Sequence, residues 1–179
     1  MFYKNERMAV FIDGANLYAS AKLLGIEIDF KLLRSEFMQR SRLLRMYYYL
    51  SVLEDDEYQS TRPLLDWLGY NGYHVVSKPA KTYLDQFGNR KIKGSMSVEL
   101  TVDALCLATQ IDHAVIFSGD GNFSPLVEGL KKHGVRVSVV STIRSNPPMT
   151  SDELRRAADN FIELEDLRTV IGKPRQERD

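Results

Sequence analysis

The 179-residue chain is 44% hydrophobic and 27% charged, which suits one globular domain with a full core. Its 24 basic and 24 acidic side chains cancel, so overall charge does not mark a polyanion binder, and such a role must come from local clustering. A single cysteine, Cys106, excludes an internal disulfide, and three scattered histidines argue against a zinc cage. No apolar run reaches membrane-span length and residues 1–7 lack a signal-peptide core, so a cytoplasmic protein without a membrane partner is expected.

Apolar residues at 8–12 predict a first strand, ending in Asp13-Gly14-Ala15-Asn16. Helical spacing follows at 16–24 and again at 30–40, behind Asp29 as N-cap. The second strand is 43–52, a helix runs from about Asp55 to Tyr70, and 73–77 is the third strand. Residues 78–95 have no clear period, and Gly88-Asn89 marks a turn or a protruding hairpin. A helix covers 96–109 and a fourth strand 114–117. Ser124 and Pro125 open the next helix, Gly134 closes it, and 135–141 is the fifth strand. Thr150 and Glu153 form a capping box for a helix to about Asn160, and 161–164 is a short sixth strand. Residues 1–172 are read as one domain and 173–179 as a frayed, charged tail. Alternating strands and helices predict a mostly parallel sheet covered on both faces, a three-layer α/β/α fold.

Chemistry concentrates where strands end. Ala114–Phe117 runs into Ser118-Gly119-Asp120-Gly121-Asn122, repeating the pattern that delivers Asp13. Ligands of open parallel sheets bind outside the carboxyl ends of the strands. Two carboxylates placed there suggest an acidic site for a divalent cation. Asn16, one helical turn past Asp13, is suited to orient a ligand, a water or a carboxylate, and Ser118 to hold a carboxylate or phosphate.

The helix at 96–109 adds two more acids. At about 100° per residue, Glu99 and Asp103 fall between an apolar stripe of Val98, Val102 and Leu105 and another of Leu100, Ala104 and Leu107. Ser97, Thr101 and Ala108 then form the expected solvent face. Two like charges turned inward at i, i+4 are costly unless a cation compensates them. The bland alternative is pairing with Arg or Lys from a neighbouring element. Lys78, Lys81, Arg90, Lys91 and Lys93, interleaved with Tyr83 and Phe87, form a candidate grip for a phosphate backbone, as well as an ordinary solvated loop. Arg40, Arg42 and Arg45 read as a solvated helix end. Tyr47 and Tyr49 face one way in the strand and Tyr48 the other, which favours core packing over base stacking. His74, His113 and His133 fit no ligand spacing and suit surface or turn positions.

Three blocks in order carry a resemblance: Val10–Asn16 (VFIDGAN), Lys93–Asp103 (KGSMSVELTVD) and Ser118–Phe123 (SGDGNF). Together they resemble the NYN domain family, in its LabA-like branch of the PIN-like nuclease fold, over about 8–165. The resemblance implies strand order 3-2-1-4-5 and metal-dependent RNA cleavage, with Asp13, Asp103 and Asp120 as core acids and Asn16 in the motif. Family members often carry Asp where this chain has Ser97 and Asn122. Asn122 keeps an oxygen ligand without the charge.

The expected chemistry is phosphodiester hydrolysis with Mg²⁺ or Mn²⁺ held by Asp13, Asp103, Asp120 and Asn122, and Glu99 completing the shell or acting as base. RNA is the expected partner, and the sequence leaves homo-oligomerisation open. The competing reading is a regulatory module that keeps the fold, binds RNA or protein and cleaves nothing. A haloacid dehalogenase phosphatase would place an acid where Ala15 stands, and a dinucleotide-binding site would need Gly-x-Gly-x-x-Gly after the first strand.

Overall fold

Met8, Ala9, Val10, Phe11 and Ile12 are all fully buried, because both faces of their strand are covered. The computed structural model describes residues 1–53, 56–84 and 86–173, with the backbone alone at 53, 56–59, 82 and 90–93. In chain order the first elements are β1 (Arg7–Asp13), α1 (Gly14–Leu24), α2 (Phe30–Arg40), β2 (Arg42–Leu53), α3 (Asp56–Tyr70), β3 (His74–Leu84) and β4 (Arg90–Lys93). Then come α4 (Ser97–Leu107), β5 (His113–Phe117), α5 (Ser124–Lys132), β6 (Arg136–Ser141), α6 (Asp152–Ala157), β7 (Asn160–Glu163) and α7 (Arg168–Ile171).

The strands form one sheet ordered β4-β3-β2-β1-β5-β6-β7, parallel throughout except for the antiparallel β3–β4 hairpin. The five strands expected in order 3-2-1-4-5 are here β3, β2, β1, β5 and β6. The sixth expected strand extends one edge as β7, and β4 extends the other. The chain winds from β1 through β2 and β3, then returns to β1's other side as β5, so the switch point lies between β1 and β5.

Period-two alternation sends β1 residues to two cores. Met8, Val10 and Ile12 pack with Leu17 and Ala21 of α1, Leu33 and Phe37 of α2, and Ile171 of α7. Ala9 and Phe11 pack with Leu100 and Ala104 of α4, Leu126, Val127 and Leu130 of α5, and Leu154 of α6. Burying a large aliphatic side chain is worth about 1.5–3 kcal/mol, so these two layers carry the fold. Tyr48 joins the first core and Tyr49 the second, while Tyr47 stacks between Phe11 and Tyr49 at 5.3 and 5.9 Å.

Local signals worked where the chain supplies its own partner. Asp29 caps α2 by accepting from the N–H groups of Lys31 and Leu32. Gly25 closes α1 at φ 65°, and Gly88 turns the hairpin at φ 79°. Other expectations need correction. β3 runs on to Leu84, because β2 and then β4 supply its partners. Ser151, not Thr150, caps α6, accepting from Leu154 N–H at 3.1 Å; Thr150 Oγ1 turns to the Thr142 carbonyl. The helix stops at Ala157, since Asn160 already pairs with Ser138 in the sheet. Ser124 lies within α5 and caps nothing; a 3₁₀ turn at Gly121–Phe123 leads in, capped by Asp120. His113 is fully buried, not at the surface, and its Nε2 lies 2.8 Å from Ser138 Oγ. Residues 174–179 of the expected tail, and the expected helix start at Asp55, lie outside the described residues.

Candidate active site at the carboxyl end of the sheet

Asp13 ends β1 beside the switch point, and Asp120 follows β5, the adjacent strand, after two residues. Asp13 also caps α1: Oδ1 accepts from Asn16 N–H at 3.2 Å. Its Oδ2 accepts from the Ser118 hydroxyl at 3.1 Å, and Ser118 Oγ accepts from Asp120 N–H at 3.2 Å. Asn16 Oδ1 accepts from Gly119 N–H at 3.1 Å. Two side chains thus lace the first loop to the second and fix how the two carboxylates stand.

Both loops need glycine for space. A Cβ on Gly119 would come 1.6 Å from the Met149 carbonyl oxygen, and one on Gly14 would come 2.8 Å from the Tyr49 carbonyl oxygen. The 142–151 segment therefore straps directly over the Ser118–Asp120 turn, and Ser151 N–H donates to the Gly119 carbonyl at 2.9 Å. Burial pushes the Asp13 carboxyl pKa upward; hydrogen bonds from Asn16 and Ser118 oppose it, and the Asp120 charge adds to it.

α4 packs on the same face as Ala9, Phe11 and Tyr49. Asp13 stands in register with Tyr49, whose hydroxyl donates to Asp103 Oδ2 at 2.9 Å. Burial and the hydrogen bond to Asp103 raise the Tyr49 phenol pKa far above its ordinary value. One turn before Asp103, Glu99 Oε1 accepts from Lys78 Nζ at 2.6 Å. That bond holds the Glu99 pKa below its ordinary value. Glu99 Oε2 is buried with no hydrogen-bond partner among the described residues.

The helix is rotated from the sequence expectation. Leu100, Ala104 and Ala108 form its buried stripe, while Val98, Val102 and Leu105 are 71%, 53% and 39% exposed. Alanines at 104 and 108 let the helix lie close to the sheet, which larger residues on another face would prevent. Ala108 is thus buried rather than on a solvent face, and Glu99 and Asp103 sit at the flank of the buried stripe. For Glu99 the pairing with a neighbouring lysine is realised.

Asn122 is exposed, and its backbone N–H and side-chain nitrogen approach Asp120 at 2.9 and 3.4 Å. As placed, it donates to that carboxylate rather than offering its oxygen beside it. Lys78 reaches an acid of the site, whereas strand alternation turns Lys81 to the opposite face of β3. Arg90, Lys91 and Lys93 lie in β4, and their side chains lie outside the described residues. Sequence reasoning missed Tyr49 as the partner of Asp103 and Lys78 as the partner of Glu99. The Tyr47/Tyr49 alternation pointed to the first; nothing local signals the second.

A divalent ion fits this donor set in part. Asp13 and Asp120 offer carboxylate oxygens and mutual repulsion, and Glu99 offers a buried oxygen without a partner. Among the described residues no three acid, histidine or cysteine side chains are gathered as a ready metal cage. Mg²⁺ commonly uses one or two carboxylates and completes its shell with water and substrate phosphate. The fit is therefore to such an open site, not to a closed structural one.

The mostly parallel sheet, the switch-point acids and the three sequence blocks define a class. The NYN domain model matches residues 7–165, and the chain belongs to the NYN domain family, a nuclease-like family. It is similar to Low amplitude and bright protein LabA of Synechococcus elongatus, at 32% identity across 97% of this chain and 91% of that protein. A crystal structure of a Vibrio parahaemolyticus protein of unknown function matches with TM-score 0.73 and 27% identity, over 93% of this chain and 97% of that one. No helix among the described residues is long and apolar enough to cross a membrane.

Proposed function

We propose that this protein is a divalent-metal-dependent ribonuclease that hydrolyses phosphodiester bonds at the Asp13–Asp120 pocket. The observation that carries the reading is the Ser118 bridge. It ties the Asp13 carboxylate to the Asp120 backbone N–H across adjacent strands at the sheet's switch point, where the Asp120 charge adds to the upward push on the Asp13 pKa. A fold gains no stability from such repulsion, and a cation relieves it.

Asp13 and Asp120 would hold Mg²⁺ or Mn²⁺, with water and substrate phosphate completing the shell, while Asp103 and Glu99 on α4 and Asn122 beside Asp120 would tune its charge. A bound divalent ion supplies the charge that acidifies water and steadies the leaving oxygen. The rest falls to the chain's own groups. Ser118 orients Asp13, Asn16 fixes the Gly119 backbone, and Tyr49 holds Asp103 in one rotamer. Lys78, with the basic strand β4 that carries Arg90, Lys91 and Lys93 beside it, is suited to draw an RNA backbone toward a site that would otherwise repel it.

One observation favours a second reading, a regulatory module that binds RNA or protein without cutting. Glu99 is already neutralised by Lys78. Incubation with single-stranded RNA, structured RNA and DNA, with Mn²⁺, Mg²⁺ or chelator, separates the two. Cleavage of RNA with Mn²⁺ that vanishes in chelator and in Asp120→Asn supports the nuclease. RNA binding without cleavage in any metal supports the module.

A further inference from the structure

Four carboxylates lie toward the carboxyl edge, Asp13 and Asp120 at strand ends and Glu99 and Asp103 on α4; among the described residues no three of them form one cluster, and they do not share one environment. Asp103 takes a neutral phenol, from Tyr49. Glu99 takes an ammonium, from Lys78. Among the described residues, Asp13 and Asp120 take hydroxyl and amide donors from Ser118, Ala15, Asn16 and Asn122. The placement of Lys78 follows from strand lengths. β1 ends at Asp13, in register with Tyr49, while β2 continues to Leu53 and β3 to Leu84. Lys78 pairs with Ser51 on this overhang and lies on the same face as Val76, which packs against the α4 core. The overhang thus carries a fixed positive charge to the first turn of α4.

We propose that Lys78 is the site's built-in second cation: its ammonium holds Glu99 and keeps a divalent ion out of the Glu99–Asp103 half. A single ion is then left to Asp13 and Asp120. The single-ion part rests on the metal-dependent reading above; the exclusion by Lys78 does not. Glu99 and Asp103, four residues apart on one helix, have Cβ atoms about 5–6 Å apart, close enough for one ion to bridge them. Such an ion would compete with an ammonium already 2.6 Å from Glu99 Oε1. The Glu99 and Lys78 side chains are 31% and 38% exposed, so the pair sits at the open rim and its ammonium can also face an incoming phosphate oxygen. Lys78 is on this account a positioning residue that sets how many ions the pocket accepts.

Counting bound Mn²⁺ on the intact chain, by calorimetric titration and by loss of the free-ion paramagnetic signal, tests this without any activity. Lys78→Met should raise the count by about one ion per chain, as an unpaired carboxylate pair recruits a hard cation. Lys78→Arg should keep the wild-type count, and Lys78→Met with Glu99→Gln should return to it. A purely structural lysine would change melting but not ion number. Equal counts in wild type and Lys78→Met overturn the role of Lys78, as does a bound Mn²⁺ count that falls below the wild-type value when Glu99→Gln is made alone. A wild type that binds none while Lys78→Met binds one leaves Lys78's role standing and removes the Asp13–Asp120 metal reading instead.

Discussion

The two ends of the same sheet are built by opposite rules. At the amino end, charge meets charge. Arg7 makes a two-pronged contact with Asp112 at 2.8 and 3.0 Å, and Arg136 pairs with Glu6 while lying 4.7 Å over the Tyr3 ring. His113 sits fully buried between them, against Ser138 and the Phe2 ring. At the carboxyl end, Asp13 and Asp120 take only hydroxyl and amide donors among the described residues, and a buried Glu99 oxygen lacks a partner there. One end spends its polar groups on stability. The other gives Asp13 and Asp120 no ion pair among the described residues and leaves one Glu99 oxygen without a partner, which is where ligands are expected. Substitutions of His113 at one end and of Asp13 at the other should therefore act with opposite sign.

The largest effect belongs to the amino end. His113→Ala should cost on the order of 3 kcal/mol in denaturant melts, since it opens a cavity and leaves the buried Ser138 hydroxyl with only the longer contact from Asn160 Nδ2 at 3.4 Å. A cost below about 1 kcal/mol would show the end to be less tightly built than its contacts imply.

Acid should unlock the same end. Burial first, and then the Arg136 charge, lower the His113 pKa to about 4 from 6.5. A neutral histidine in the fold that charges on unfolding contributes stability fully present above 6.5 and lost as pH falls toward 4. The loss should be on the order of 2–3 kcal/mol, read as melting against pH, and largely absent in His113→Ala.

The sign reverses at the carboxyl end. Asp13→Asn should stabilise the metal-free protein by about 1 kcal/mol at neutral pH. A raised carboxyl pKa means that the fold prefers the proton, so this advantage is missing below the ordinary value of 3.8 and appears as pH rises above it. Destabilisation at pH 7 would mean that the hydrogen bonds to Asn16 and Ser118 outweigh burial and repulsion. Tyr49→Phe should have the smallest effect, a loss of about 1 kcal/mol, because it removes one hydrogen bond to Asp103 and leaves the packed ring.

The two ends also differed in how much of them the sequence announced. Strand ends running into glycine turns exposed Asp13 and Asp120, because both signals lie within ten residues of chain. The rotation of α4 was hidden, since Val98, Leu100, Val102, Ala104, Leu105 and Leu107 put apolar groups on most of its sides. Only the sheet it docks against, through Leu100 and Ala104, selects among those faces. The burial of His113 depends on Glu6 and Arg136, more than 20 residues away on either side, and Lys78 reaches Glu99 across 21 residues. Partners that distant leave no local pattern, so the amino-end ion pairs and the Lys78–Glu99 pair emerge only from the fold.

The central claim is that the carboxyl end is strained for a cation, and melting with and without Mn²⁺ tests it most directly. Wild type should melt higher as Mn²⁺ is added, by the mass action of an ion that binds only the folded chain. Asp13→Asn should start above wild type without metal and fail to respond to it, so that the two curves cross. Parallel Mn²⁺ responses, or a metal-free Asp13→Asn that melts below wild type, would contradict the account.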